Sequence, residues 1–208
     1  MDNKYHINYF NSIKKGLLSS RCFINYSEVG MDTFLTRINK LLKLLGRKKS
    51  KIFFFGNGAS AAFANHMALD FSKNGKILSR SLSDSALLTA LSNDYTYEEA
   101  MVEFLKIEEI KREDLVITIS SSGNSENIVG VLNYCKGNGI KTLALSWLKD
   151  DNKSLSIATY SIYVPMKTYG MVECIHQIFL HMFLDYSMGV FEWMRADVQN
   201  MDAKNYKI

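Results

Sequence analysis

The 208-residue sequence contains a single proline, Pro165, and only 12 glycines. So little of either excludes collagen-like repeats and Pro-rich linkers, and argues against disorder. Cysteine is scarce as well. Cys22, Cys135 and Cys174 are odd in number and far apart, which argues against a disulfide framework or a Cys-based zinc module and favours a reducing compartment. No run approaches 18 uncharged apolar residues. The most apolar stretch, Cys174 to Met194, is interrupted by His176, His181, Asp185 and Glu192, so a buried helix is expected there rather than a membrane span. The opening MDNKYHINYFNSIKKG lacks the apolar core of a secretory signal. A soluble, cytoplasmic chain with no membrane partner is the expectation.

Charge of one sign is also lacking: 25 basic against 21 acidic residues leave +4. The basic residues gather in KLLKLLGRKKSK, Lys40 to Lys51, where cations suit the end of a solvated helix. A nucleic-acid face would carry more of them, interleaved with aromatics, so no nucleic-acid partner is expected. What is present is ordinary for a globular chain: 47% hydrophobic and 22% charged residues. At this length roughly 70% of the unfolded surface can be buried, enough for a core without metal or disulfide staples.

Residues 1–48 read as a helical segment. Phe10, Ile13 and Leu17, then Phe34, Ile38, Leu41 and Leu45, recur at helical spacing, with Asp32 as N-cap and Gly46 as stop. Short β-favouring runs follow at Lys51–Phe55, Ile77–Leu82, Leu115–Ser120, Lys141–Trp147 and Tyr160–Val164. Helical patterns lie between them at Ser60–Ser72, Tyr97–Ile110 and Ser125–Asn138, and a long helix starts near Gly170. Strands alternating with helices imply βαβ units and a parallel sheet. The expected organisation is an N-terminal segment, 1–48, packing on one α/β domain, 49–194, with a polar tail, 195–208.

Open parallel sheets bind ligands beyond the carboxyl ends of their strands, which directs attention to two loops. Phe55-Gly56-Asn57-Gly58-Ala59-Ser60 follows the first strand of the alternating region and opens a helix. Its glycines allow close backbone approach, and free N–H groups at the helix start attract anions. Gly56, Gly58 and Ala61 also satisfy a dinucleotide-binding spacing, but the acidic residue that the pattern wants at the end of the next strand arrives late, as Asp84. The second loop, Ile119-Ser120-Ser121-Ser122-Gly123-Asn124-Ser125, clusters four hydroxyls at a strand end, with Ser125 placed to cap the next helix. Such a nest suits a phosphate held by neutral hydrogen bonds; the alternative is an ordinary serine-rich turn.

His66 and Asp70 stand four residues apart, on one face of a helix. That pair suits a metal or an oriented base, or simply a surface His with an acidic neighbour. On the last helix Glu173, His176 and His181 interrupt Val172, Ile175, Ile178, Phe179, Leu180 and Phe183. Ionisable groups on a largely buried helix need partners or a function. Glu173 and His181 lie about 12 Å apart along the axis.

Gly56-Asn57-Gly58-Ala59-Ser60, Ser92-Asn93-Asp94 and Ile119–Ser125 together resemble the signatures of the sugar isomerase (SIS) domain, in the same order and over roughly Phe34 to Tyr186. More narrowly they resemble the phosphoheptose isomerases. The resemblance implies a three-layer α/β/α, doubly wound, flavodoxin-like parallel sheet with N-terminal helices and a long C-terminal helix. It also implies isomerisation of sedoheptulose 7-phosphate to D-glycero-D-manno-heptose 7-phosphate, the first step toward nucleotide-activated heptose for lipopolysaccharide or capsule.

Zinc, one ion per subunit, is implied at His66, Asp70, Glu173 and His181. Proton transfer is implied at Asp70 or Glu173 with His181. Asn57, Gly58, Ala59, Ser60, Asn93, Asp94 and Glu173 would meet the sugar, and Ser120, Ser121, Ser122 and Ser125 its phosphate. A homotetramer with sites shared between subunits is implied too. The sequence departs from the family pattern where Asp70 stands for a Glu, Glu173 for a Gln, and Cys174 for the Glu that follows. The alternatives are an isomerase of another phosphosugar, a non-catalytic SIS protein that binds a replication initiator, and a regulatory phosphosugar-binding module. Retention of His181 and of an acid at Asp70 favours an enzyme.

Overall fold

The structure, a computed structural model, describes residues 4–195. Most of the tail 195–208 therefore lies outside the described residues. The chain runs α1 (Tyr5–Ser19), β1 (Arg21–Ile24), β2 (Ser27–Val29), α2 (Met31–Lys48), β3 (Ile52–Gly56), α3 (Ala59–Lys73), β4 (Ser79–Ser81) and α4 (Ser85–Asp94). It continues through α5 (Ala100–Ile107), β5 (Leu115–Ser120), α6 (Glu126–Gly137), β6 (Lys141–Ser146), α7 (Lys153–Ile157), β7 (Tyr160–Tyr163) and α8 (Tyr169–Met188), then a 3-10 turn at Glu192–Met194. One seven-stranded sheet has the order β2-β1-β7-β6-β5-β3-β4. The five strands β7, β6, β5, β3 and β4 are parallel, so the expected α/β architecture and its alternating strands are borne out.

The expectation that residues 1–48 are wholly helical is not. Residues 21–29 form a β-hairpin, and β1 extends the sheet by pairing antiparallel with β7, Cys22 opposite Ile162. Asn25 and Tyr26 supply its turn with positive φ angles of 47° and 70°, conformations that non-glycine residues adopt sparingly. The α2 boundaries differ as well. Gly30 occupies the N-cap position, Asp32 falls inside the first turn, and the helix passes Gly46 to end where Lys49 turns left-handed. Arg47 and Lys48 close the last turn, so the basic cluster is an exposed helix end, as its composition suggests.

Strand alternation builds the two cores. Ile52 and Phe54 point to the face covered by α2, α3 and α8, packing with Phe34, Met67, Phe71, Phe179 and Phe183. Phe53 and Phe55 point to the opposite face, against Met101 and Phe104 of α5 and Ile128, Val131 and Leu132 of α6. Burying both faces explains why these strands read as unbroken apolar runs. At the amino ends of β3 and β5, the buried Asp114 carboxylate accepts from the backbone N–H groups of Lys51 and Lys111 at 2.7 and 2.8 Å. β3 and β5 are neighbours, yet α3 covers one face and α6 the other. Their carboxyl ends therefore flank the switch point of the sheet, where the two loops diverge and leave a crevice.

Candidate active site

Gly56 ends β3 where the chain turns tightly into α3. A Cβ there would stand 2.5 Å from the backbone carbon of Ser60, so only glycine fits without displacing the helix start. Gly58 follows with φ +55°, in the region that favours glycine. Across the crevice, the serine loop is held from beneath. The Trp147 N–H donates to the Ser121 carbonyl at 3.0 Å, and the Ser154 N–H and hydroxyl donate to the Gly123 carbonyl at 3.0 and 2.8 Å. The Lys153 N–H reaches Asn124 Oδ1 at 2.9 Å.

These braces set the polarity of the serine hydroxyls. Ser120 Oγ accepts from the Gly123 N–H at 3.2 Å and Ser122 Oγ from the Asn124 N–H at 3.2 Å. With an oxygen lone pair already engaged, each hydroxyl keeps its O–H to donate. Ser125 sits at the N-cap of α6, but its side chain caps no backbone N–H; it lies 3.3 Å from Ser122 Oγ instead, so the capping expected of it is not what it does. Asn57, Ser60, Ser120, Ser121, Ser122 and Ser125 line one cleft of about 170 Å³, together with Ile119, Tyr169 and Glu173. Donor hydroxyls beside the start of a 12-residue helix could hold an anion by neutral hydrogen bonds, with the Glu173 carboxylate at the border of the same cleft.

Farther along α3 and α8 a second group assembles. His66 Nε2 lies 3.2 Å from Asp70 Oδ2, and His181 Nδ1 lies 3.9 Å from the same oxygen. The imidazole rings of His66 and His181 meet edge to face with centroids 5.3 Å apart. One donor atom from each of the three residues lies within 4.8 Å of the others, a spacing that a single divalent ion can bridge. Two imidazoles and a carboxylate form the nitrogen and oxygen donor set that zinc accepts, with a fourth position left for water or substrate.

Of the four residues expected to hold metal, three come together. Glu173 stands apart from this set and lines the serine cleft. His176 is buried, its Nε2 lying 3.4 Å from the Ser146 carbonyl while Nδ1 has no partner among the described residues. Burial pushes this imidazole down to about 4, partly opposed by the Ser146 contact. One turn beyond His181, burial holds the Asp185 carboxyl above its ordinary range, against the pull of His181 and with the Asp70 and Glu192 carboxylates adding to the rise. Cys22 and Cys135 are buried, each thiol pushed up to about 12 by desolvation, which keeps them inert. Asn93 and Asp94 are exposed at the end of α4, Asn93 Nδ2 donating to Asp94 Oδ1 at 3.1 Å.

Three partners escaped the sequence reading. Gln177 Nε2 lies 3.0 Å from His181 Nε2 and 3.1 Å from Met67 Sδ; its spacing of four from His181 was the available signal. Asn127, in the first turn of α6, exchanges amide hydrogen bonds with Asn57, and the Tyr97 hydroxyl donates to Asn57. No local pattern announces those two.

A doubly wound sheet with a serine-lined crevice at its switch point defines an α/β domain with its ligand cleft at the carboxyl ends of the strands. The profile of the SIS domain matches residues 35–146. The phosphoheptose isomerase of Helicobacter pylori (strain P12) is 30% identical over 180 residues, spanning 83% of this chain and 92% of that protein. That of Maridesulfovibrio salexigens is 31% identical, over 77% of this chain and 78% of its own. In fold, the phosphoheptose isomerase structure from Neisseria gonorrhoeae superposes with a TM-score of 0.74 at 20% identity, over 88% of this chain and 95% of that one. The chain belongs to the SIS domain family, among the phosphoheptose isomerases.

Proposed function

We propose that this protein is a phosphoheptose isomerase, an aldose–ketose isomerase that converts sedoheptulose 7-phosphate to D-glycero-D-manno-heptose 7-phosphate. The observation that carries the reading is the arrangement of the two clusters along shared helices. Ser60 lines the serine cleft and His66 stands about 9 Å farther along α3; on α8, Glu173 lines the cleft and His181 stands about 12 Å farther along. A phosphate held by Ser120, Ser121, Ser122 and Ser125 would leave the rest of an extended sugar to run past Asn57 and Glu173 toward His181. Gly58, Ala59, Asn93 and Asp94 would border its hydroxyls.

The reaction removes a proton from the carbon next to the carbonyl and returns one to the neighbouring position. We assign the base to Glu173. Asp70 is shared between two histidines, and its carboxylate is one methylene shorter than the glutamate of the family pattern. Glu173 borders the cleft where the sugar chain would lie. His181 then serves as the acid. We place Zn²⁺, one per subunit, on His66, Asp70 and His181; when bound it would stabilise developing negative charge on substrate oxygen. Domain 49–194 would carry the site, with 1–48 packed on it, in a cytoplasmic homotetramer. The exposed Tyr5, Phe10 and Leu18 of α1 support association through the helical face. Among the described residues no helix is long and apolar enough to cross a membrane.

NMR-monitored turnover of sedoheptulose 7-phosphate tests the reading. Wild-type protein should convert it, and His181→Ala should lose activity by 10²-fold or more on the order expected for a proton-transfer group. Saturable binding without turnover would instead mark a regulatory module. Undiminished turnover by the variant would remove His181 from the chemistry.

A further inference from the structure

Asn57 borders the cleft, and its amide is tied down by groups that no motif assigns. The backbone N–H of Ile128 donates to Asn127 Oδ1 at 2.9 Å. A backbone donor has a known hydrogen, so this bond settles which end of the Asn127 amide is oxygen. Asn127 Nδ2 is then the donor, and it reaches Asn57 Oδ1 at 2.9 Å. In return Asn57 Nδ2 donates to Asn127 Oδ1 at 3.0 Å. The Tyr97 hydroxyl donates to Asn57 Oδ1 at 2.9 Å. Asn127 is 2% exposed, so water cannot replace its bonds cheaply.

The polarity of Asn57 follows by counting. Both lone pairs of Oδ1 are used, by Asn127 and Tyr97, and one of the two N–H groups is used by Asn127. One N–H donor and no acceptor remain. We infer that Asn127, with Tyr97, is a positioning residue that fixes Asn57 so that it offers the substrate a single hydrogen-bond donor, aimed at an acceptor oxygen of the sugar at its carbonyl end. This rests on the isomerase reading. In such a reaction that oxygen gains negative charge on the way to the enediolate, so a donor held in advance acts more strongly at the transition state than on bound substrate. The same three residues also tie the loop after β3 to the first turn of α6 and to the segment following Asn93 and Asp94.

The test compares Asn127→Asp and Tyr97→Phe with wild type. The first change keeps the size of the side chain and its ability to accept from Ile128 and Asn57, but removes the N–H that donates to Asn57 Oδ1. We expect kcat to fall roughly tenfold with KM little changed. Inhibition by a phosphorylated hydroxamate, an enediolate mimic, should weaken by at least a similar factor; because the new carboxylate also repels anions near the cleft, the comparison with inorganic phosphate is made in the uncharged variant. Tyr97→Phe, which removes one exposed hydroxyl and adds no charge, should lower kcat and weaken hydroxamate inhibition about threefold while leaving inhibition by inorganic phosphate unchanged, and it serves if the first variant folds poorly. Equal weakening of hydroxamate and phosphate in Tyr97→Phe, or kcat unchanged in both variants, overturns the inference. A readout independent of turnover separates it from the isomerase reading: the side-chain amide protons of Asn57 should exchange with solvent faster in the Asn127→Asp protein. If wild type does not isomerise the sugar, the function fails while this exchange still reports on the network; equal exchange in both proteins overturns the positioning role.

Discussion

Glu173 and His181 lie on one helix two turns apart, yet they serve different places: Glu173 lines the serine cleft, and His181 closes on Asp70 and His66. A sugar whose phosphate sits on the serines would carry its carbonyl end between the two side chains, and because Glu173 alone borders the serines, substitutions at the two positions should have separable effects.

Glu173 puts a carboxylate beside the serine hydroxyls proposed to hold the phosphate. Glu173→Gln removes that charge and keeps the shape. Inhibition by inorganic phosphate should tighten several-fold, the gain shrinking in high salt, because a like charge at a partly exposed site acts through screened Coulomb repulsion. In the same variant kcat should fall by about 10²-fold or more, since an amide cannot accept the proton. Tighter phosphate binding with undiminished kcat would return the base to Asp70.

Protein purified without chelator should carry close to one equivalent of zinc per chain by elemental analysis. His66→Ala or Asp70→Asn should lower that content and abolish the rise in melting temperature on adding Zn²⁺, since an ion that binds the folded chain stabilises it by mass action. Glu173→Gln should leave the content unchanged, because Glu173 is outside the cluster. Loss of zinc in that variant would place it among the ligands.

Ser122→Ala removes one O–H from the cleft while the loop keeps its braces from Trp147, Lys153 and Ser154. A hydrogen bond to a charged oxygen contributes about 1.5–3 kcal/mol. KM for the sugar phosphate and the inhibition constant of phosphate should each rise about tenfold, with kcat nearly retained. A fall in kcat alone would place the phosphate elsewhere.

His176 gives the fold an acid-sensitive point. Its folded value of about 4 lies below the ordinary 6.5, so as pH falls through 6.5 the unfolded chain takes up the proton first. Stability from this group is complete above 6.5, declines as pH falls from 6.5 to about 4, and levels off below; the span corresponds to about 3 kcal/mol. Denaturant unfolding at a series of pH values should show that slope in wild type and a shallower one in His176→Asn. Identical slopes would assign the acid sensitivity to other groups.

Gly56→Ala tests the turn into α3. Its Cβ would meet the backbone carbon and oxygen of Ser60 at 2.5 and 2.6 Å, and backbone cannot rotate away as a side-chain tip can. We expect a cost of about 2 kcal/mol, a drop in melting temperature on the order of 5 °C, and a raised KM for the sugar phosphate as Ser60 moves.

Much of this was legible because it is local. The strand runs that became β3, β5, β6 and β7 are bounded by polar residues and buried on both faces, so composition alone marks them. The four-residue spacing of His66 and Asp70 is a property of any helix, and the serine loop sits where a parallel strand must end. The hairpin at Arg21–Val29 was not legible. Its strands span four and three residues, carry Arg21 and Glu28, and exist because β1 finds the distant β7, Cys22 pairing with Ile162. Periodicity in a window that short cannot outweigh the helical patterns on either side.

The class of chain, the alternation of strand and helix, and the residue types at the two loops follow from the order of residues alone, since each depends on neighbours within one turn or one strand. Tertiary structure alone decided which ionisable groups share a site. Packing of α3 against α8 brings His181 to Asp70 and leaves Glu173 facing the serines, a choice that helical spacing permits but does not make. It likewise decided the polarity of Asn57, whose partners Asn127 and Tyr97 stand 70 and 40 residues away. Hydrogen bonds over such separations exist only once the sheet has set its loops side by side.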